Sequence, residues 1–174
     1  MIKADTAGIG NLARRLLAVT ADQPSVFRQA ASSVARASKT EAKREITAIY
    51  NIKKPRVDDA VRSFASGYDV ITTGSAKGIT LKSFAGVQFP SGFSASVFNG
   101  RRFTVKGGFT PEKYGFKVPF KRLGRKRLPI RVLYGPSVAA MLRNREISER
   151  FVVRQAIRAR EELTRRIFRE LDKR

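Results

Sequence analysis

Phe93-Ser94-Ala95-Ser96-Val97-Phe98-Asn99-Gly100-Arg101-Arg102-Phe103-Thr104-Val105 is the stretch that decides the fold. Apolar and small polar residues alternate on both sides of Asn99-Gly100, and alternation with a period of two places one set of side chains on each face of a strand. Asn-Gly supplies the positive φ that a tight two-residue turn needs, so the stretch predicts an antiparallel hairpin. Working outward, Val70-Ile71-Thr72-Thr73 and Ile79-Thr80-Leu81-Lys82 are β-rich runs on either side of Gly74 to Gly78. That arrangement predicts a second hairpin. Phe109, Phe116, Val118 and Phe120 suggest a further strand pairing, and Leu128 to Leu133 a last strand. Pro119 and Pro129 are expected at edges or strand ends. The phenylalanines at 93, 98, 103, 109, 116 and 120 are expected to fill the core of the sheet.

The period changes to that of a helix on both flanks. Ile9, Leu12, Leu16 and Val19 share one helical face; Asp22-Gln23-Pro24-Ser25 interrupts it, with Asp22 as a cap and Pro24 in a first turn. Phe27, Ala31, Val34, Ser38, Ala42, Ile46 and Ile49 then form a long stripe with a small-residue middle suited to close packing. Pro55 ends that helix or starts a short turn near Val57. After Gly135-Pro136-Ser137, Val138 to Leu142 predicts a short helix. A long one is expected from about Ser148, with Val152, Ala156, Ala159, Leu163, Ile167 and Leu171 on its apolar face. Glu161–Arg165 and Glu162–Arg166 are spaced i,i+4, and the arginine stripe reads as a solvated face. The expected class is α+β: a small antiparallel sheet of hairpins flanked by a long N-terminal and a long C-terminal helix. A single domain is expected over 1–174, with a helical N-terminal region over 1–62, a sheet with a basic loop over 63–134, and C-terminal helices over 135–174.

Composition narrows function. The 174 residues include no cysteine and no histidine. Thiol nucleophiles, disulfides, thiolate metal sites and the commonest general base are thereby excluded. Asp58-Asp59 does not make a paired-carboxylate site, because neighbours on a helix or strand do not face one another; the two acids read as first-turn residues favoured by the helix dipole. Gly8-Ile9-Gly10 and Gly107-Gly108 do not match a phosphate-cradling loop. The expectation is no enzyme, no cofactor and no metal. Met1-Ile2-Lys3-Ala4-Asp5 lacks the apolar core of a leader, so synthesis in a cytoplasm is expected.

Thirty-six Lys and Arg against 14 Asp and Glu give a net charge of +22. That surplus argues for polyanionic partners. It is concentrated in residues 101–131, which carry eleven basic side chains and one acid. Arg101 and Arg102 follow the Asn-Gly turn. Lys117, Lys121, Arg122, Arg125, Lys126 and Arg127 alternate with apolar anchors and then form a dense loop. These eight are the candidate contacts with DNA or an acidic partner. Protection of an exposed strand edge is the competing role for Arg101 and Arg102.

Arg127-Leu128-Pro129-Ile130-Arg131-Val132-Leu133-Tyr134-Gly135-Pro136-Ser137-Val138 resembles the signature end of the phage minor tail protein Z family, in which a basic loop runs into Leu-Pro-Ile and then into Tyr-Gly-Pro-Ser at a helix start. Gly108-Phe109, Gly115-Phe116 and Phe120-Lys121-Arg122 are similar to that family's glycine–phenylalanine strands and loop approach. So are the long alanine-rich helix and Tyr50-Asn51-Ile52-Lys53. The layout covers roughly residues 25–143 and is sharp over about a dozen. A histidine that family members place before Phe-Lys-Arg is missing. The resemblance implies a structural protein at the head-proximal end of a long phage tail or in the neck, usually a ring. It would complete the tail for head joining, next to tube, terminator or head-joining proteins, with phage DNA in the lumen. Leu128, Pro129, Ile130, Tyr134, Gly135, Pro136, Ser137 and Val138 would be structural, fixing the basic loop against the core. Two other classes stay open: a free, non-specific nucleic-acid-binding protein, and a small hydrolase, which would need a clustered acidic site.

Overall fold

The computed structural model describes residues 24–111 and 118–172. Its elements are α1 (Pro24–Ile49), α2 (Lys54–Asp58), β1 (Val61–Ser66), β2 (Asp69–Gly74), β3 (Ile79–Thr80), a 3-10 turn (Leu81–Ser83), β4 (Val87–Phe89), β5 (Gly92–Phe98), β6 (Arg101–Lys106), β7 (Gly108–Phe109), β8 (Phe120–Arg122), β9 (Ile130–Val132), β10 (Tyr134–Gly135), α3 (Val138–Leu142) and α4 (Arg145–Leu171). The class is α+β, with a long helix towards each end of the chain and small antiparallel sheets between. The helix expected over 9–19, its Asp22 cap and the Gly115-Phe116 strand lie outside the described residues.

Among the described residues, four small sheets form instead of one: β1-β2, β3-β10, β4-β5-β6 and β7-β8-β9. The Asn99-Gly100 hairpin is present, joining β5 to β6 with Phe98 opposite Arg101 and Gly100 at φ +73°. The hairpin expected across Gly74 to Gly78 is not formed. β2 pairs with β1 around the turn Gly67-Tyr68, and β3 pairs with β10, Tyr134 opposite Thr80 and Gly135 opposite Ile79. The reason is a partner distant in the chain: a Cβ on Gly74 would stand 2.9 Å from the backbone nitrogen of Ala139, so this glycine is held against the start of α3. The Ser75 nitrogen also donates to Ala60 O (2.8 Å), and Ser75 O accepts from the Ala139 nitrogen (3.1 Å).

Within the described residues, the chain clusters into two compact units. The first draws on residues 24–38, 63–72 and 152–172. Its small residues Ala30, Ala31, Val34, Ala35 and Ser38 are all buried, which lets side chains of α4 approach closely. Arg166 donates to Gln29 Oε1 (2.8 Å) and Ser33 Oγ (3.1 Å). The Ser38 hydroxyl donates to the Val34 carbonyl (2.8 Å) and lies against the Gln155 carboxamide. Phe27 meets Tyr68 edge-on at 6.1 Å. Ala159, Leu163 and Ile167 are half-buried on the expected face of α4, but Val152 is 63% exposed and Ala156 is exposed too. The apolar stripe therefore covers less of this helix than its spacing suggests.

The second unit, residues 39–62 and 73–151, holds the main core. Ala42, Ile46, Val57, Phe84, Ala95, Met141 and Ile147 are fully inaccessible, and Tyr50, Leu81, Phe93, Val97 and Val138 close around them. Full burial of a large apolar side chain stabilises by about 1.5–3 kcal/mol. β5 is buried on both faces. Phe93, Ala95 and Val97 enter the core, while the alternate serines bond to backbone: Ser94 Oγ to Phe103 O (3.2 Å) and Ser96 Oγ to Phe98 O and Arg101 O (2.9 and 3.0 Å). Of the expected core phenylalanines, Phe93 is buried but Phe98 and Phe103 are 43% exposed. Phe109 and Phe120 are half-buried and pair across β7 and β8.

Asp58 ends α2 instead of opening a helix, and it takes two cations, Lys43 Nζ at 2.8 Å and Lys39 Nζ at 3.2 Å. The Lys43 hydrogen bond, and then that of Lys39, holds its carboxyl below the usual carboxylate range.

Candidate polyanion interface

β8 and β9 are short antiparallel strands joined by the loop 123–129, and every residue from Lys121 to Arg131 is exposed. The register sets Lys121 directly opposite Arg131 and Arg122 opposite Ile130. Like charges facing across a strand pair destabilise it. No acid occurs between Val118 and Ser137 to offset them, whereas Lys121, Arg122, Arg125, Lys126, Arg127 and Arg131 all fall there. None of the six is in an ion pair among the described residues. Arg122 is steadied by stacking, its Cζ 5.1 Å from the centroid of the Phe109 ring, which holds a guanidinium in place without neutralising it. Lys121, Arg122 and Arg131 line an open cleft of about 420 Å³ with Leu123, Val132, Leu133 and Tyr134.

The sequence candidates therefore separate. Lys121, Arg122, Arg125, Lys126 and Arg127 share the β8–β9 hairpin, while Lys117 lies outside the described residues. Arg101 and Arg102, adjacent on β6, diverge by strand alternation. Arg101 lines a cleft with Asn99, Asn144 and Glu146, and Arg102 lines another with Lys53, Arg56 and Lys82. Arg131 was not among the sequence candidates; its signal was the short β-rich run on the far side of the basic loop.

The motif 128–138 also divides. Leu128 is 66% exposed, Ile130 38% and Tyr134 58%, so these three do not fix the loop against the core as expected. Anchorage comes from the downstream residues. Gly135 packs so tightly on Phe84 that an added Cβ would meet ring carbon Cε2 at 2.6 Å. Ser137 caps α3, its Oγ accepting from the Ala140 nitrogen at 3.2 Å, and Val138 is 1% exposed. Pro136 is half-buried before the cap, and Pro129, cis to Leu128, is exposed in the loop.

On α4, Arg145–Glu149 and Arg150–Glu146 pair along the helix, and Glu162 takes both Arg165 and Arg166. Burial of the Glu162 carboxyl opposes ionisation, but hydrogen bonds from Arg166 and Ser33 with the two guanidinium charges outweigh it and lower its pKa. Among the described residues, no three acids are grouped as a metal site would require, and no helix is long and apolar enough to cross a membrane. Comparison with protein-family models, curated proteins and solved structures finds no match to this chain.

Proposed function

We propose that this chain is a non-catalytic structural protein of a tailed phage particle, a tail-completion or neck component that assembles as an oligomer and docks on polyanionic surfaces through the β8–β9 hairpin. The observation that carries the docking role is Lys121 facing Arg131 inside a hairpin with six cations and no acid. A pair that opposes the local fold is tolerated at low cost where a negative partner neutralises it. The phage assignment rests on the resemblance of Arg127 to Val138 to the minor tail protein Z family. The lumenal DNA and acidic faces of ring proteins are the negative surfaces such a particle offers.

The test is particle composition combined with charge removal. Particles assembled from the genome that encodes the chain should contain it. Replacing Arg125, Lys126 and Arg127 together by alanine should leave the chain folded but block its incorporation. Intact, infectious particles without the polypeptide would overturn the assignment. Tight binding of the isolated chain to bulk DNA, with a steep salt slope and no association with tails, would instead establish a free nucleic-acid-binding protein.

A further inference from the structure

A second cationic feature lies in the same compact unit, away from the hairpin residues. An open cleft of about 650 Å³ is lined by Lys53, Arg56, Thr80, Lys82, Ser83, Ala85, Gly86, Val87 and Arg102. Among the described residues, four cations and two hydroxyl side chains line it, and no carboxylate does. None of the four is in an ion pair among the described residues. The volume lies within the range of small-molecule sites, and cations of one sign around a concave surface focus a positive potential inside it.

The wall is built with effort. Arg102 is held by neutral acceptors only, Nη2 donating to the Ala85 carbonyl at 3.3 Å and Nη1 reaching the buried Ser94 hydroxyl at 3.5 Å, so it is positioned with its charge intact. Ala85 adopts φ +49°, a conformation uncommon for a residue with a Cβ. Backbone in such a region persists only where its surroundings over-determine it, and it clusters at ligand sites. Gly86 cannot be larger, since a Cβ there would stand 2.5 Å from the Phe93 ring and 2.7 Å from the Leu81 carbonyl oxygen. The turn that carries Ala85 is thus locked onto the core, and Arg102 is locked onto the turn.

We infer that this cleft binds a phosphate-bearing ligand of about nucleotide size. Lys53, Arg56, Lys82 and Arg102 would take the phosphate oxygens, Thr80 and Ser83 would add hydroxyl donors, and Ala85, Gly86 and Val87 would lie along the uncharged portion. Arg102 and Arg56 supply planar forks that match phosphate oxygens, and the lysines act as point charges. The shared chemistry is the phosphate group, either on a free phosphorylated molecule or on a nucleotide of a polynucleotide strand. The inference is independent of the phage assignment and of the hairpin.

The test titrates the full chain with inorganic tripolyphosphate and with ATP at near-physiological salt, by calorimetry. Saturable binding at one site is expected. Arg56→Ala with Lys82→Ala should weaken it by about tenfold or more, the scale of lost charge-assisted hydrogen bonds. Both side chains are exposed, so thermal melting should stay unchanged. Arg102→Lys, which keeps the charge and loses the fork, should weaken it by a smaller factor. Arg158→Ala with Arg160→Ala, a control that removes two exposed α4 cations not lining the cleft, should bind tripolyphosphate within about twofold of the parent. A short single-stranded oligonucleotide that displaces ATP identifies a polynucleotide as the source, and one that does not identifies a free phosphorylated molecule. Absence of saturation with both probes overturns the inference. So does equal weakening in the two multiple variants, or equal affinity for a polyglutamate peptide.

Discussion

Asn99 Nδ2 donates to the carbonyl oxygen of Ala48 at 2.8 Å and reaches that of Thr47 at 3.2 Å, so the tip of the β5–β6 hairpin closes the C-terminal end of α1. The Asn99 backbone nitrogen adds a third bond, to Ile49 O at 2.9 Å. Carbonyls at a helix end have no partner within the helix, and α1 ends without a glycine in the left-handed conformation. Asn99→Ala removes the two side-chain bonds and should lower stability by about 1 kcal/mol, the usual net worth of exposed hydrogen bonds. Gly100→Ala next to it should cost a similar amount for another reason: nothing lies within 4 Å of the new methyl, and only the positive φ is strained. Denaturant unfolding of the two variants checks both.

Gly135→Ala should destabilise more than either. The new methyl would press on the inaccessible Phe84 ring, and overpacking of this kind costs about 1–3 kcal/mol. A companion Phe84→Leu substitution should restore some of the loss, because it vacates the volume that the methyl needs. Failure of the double variant to recover anything would show that the contact does not set the cost.

Lys121→Glu should move stability and binding in opposite directions. It turns a like-charged cross-strand pair with Arg131 into an attractive one, which should raise stability by about 0.2–1 kcal/mol. Affinity for a polyanion should fall, and the slope of log affinity against log salt should flatten by roughly one phosphate contact or more. Thermal melts and a salt series on DNA or heparin read the two effects separately.

Gln155→Leu should stabilise. Gln155 Nε2 is buried without a hydrogen-bond partner among the described residues, and an orphaned buried amide costs about 1–3 kcal/mol. Ser38 keeps its bond to the Val34 carbonyl, so the leucine strands no other group. Chemical denaturation should show a higher midpoint at an unchanged slope.

Asp58 sets an acid limb. Its folded pKa is lowered by hydrogen bonds from Lys43 and then Lys39, so its contribution is present above the unfolded value, about 3.9, and disappears as pH falls through the lower folded value. The melting temperature of the parent should exceed that of Asp58→Asn at pH 6, and the gap should close towards pH 2. Because the carboxylate is exposed, high salt should shrink the gap at pH 6.

Elements whose signal is local were legible in the sequence. The α1 stripe from Phe27 to Ile49, the Asn-Gly turn and the short helix after Gly135-Pro136-Ser137 all follow from neighbours a few residues apart. Partners distant in the chain were not legible. The Gly74 to Gly78 stretch has the composition of a hairpin turn, yet contact with Ala139 and the pairing of Thr80 with Tyr134 decide its fate, and nothing local encodes either. Phe98 and Phe103 have the spacing of core residues, yet each stays 43% exposed, Phe98 stacked on the buried Tyr50 ring at 5.0 Å and Phe103 opposite the buried Ala95. The basic loop was plain from its charge run, because charge density needs no register. The cleft cations were hidden, since Lys53 and Arg56 at α2, Lys82 in the 3-10 turn and Arg102 on β6 come from three separate places and meet only in the folded chain.

Leu123 and Leu128, 62% and 66% exposed, bracket the arginines and lysine at the tip of the basic hairpin. Any surface gripped by this tip touches oil as well as ions. Ordinary salt will loosen the ionic share of the grip and leave the greasy share in place, and strongly excluded anions such as sulfate will tighten that remainder. An assembly held in this way can tolerate swings in ionic strength that would strip off a purely electrostatic clamp.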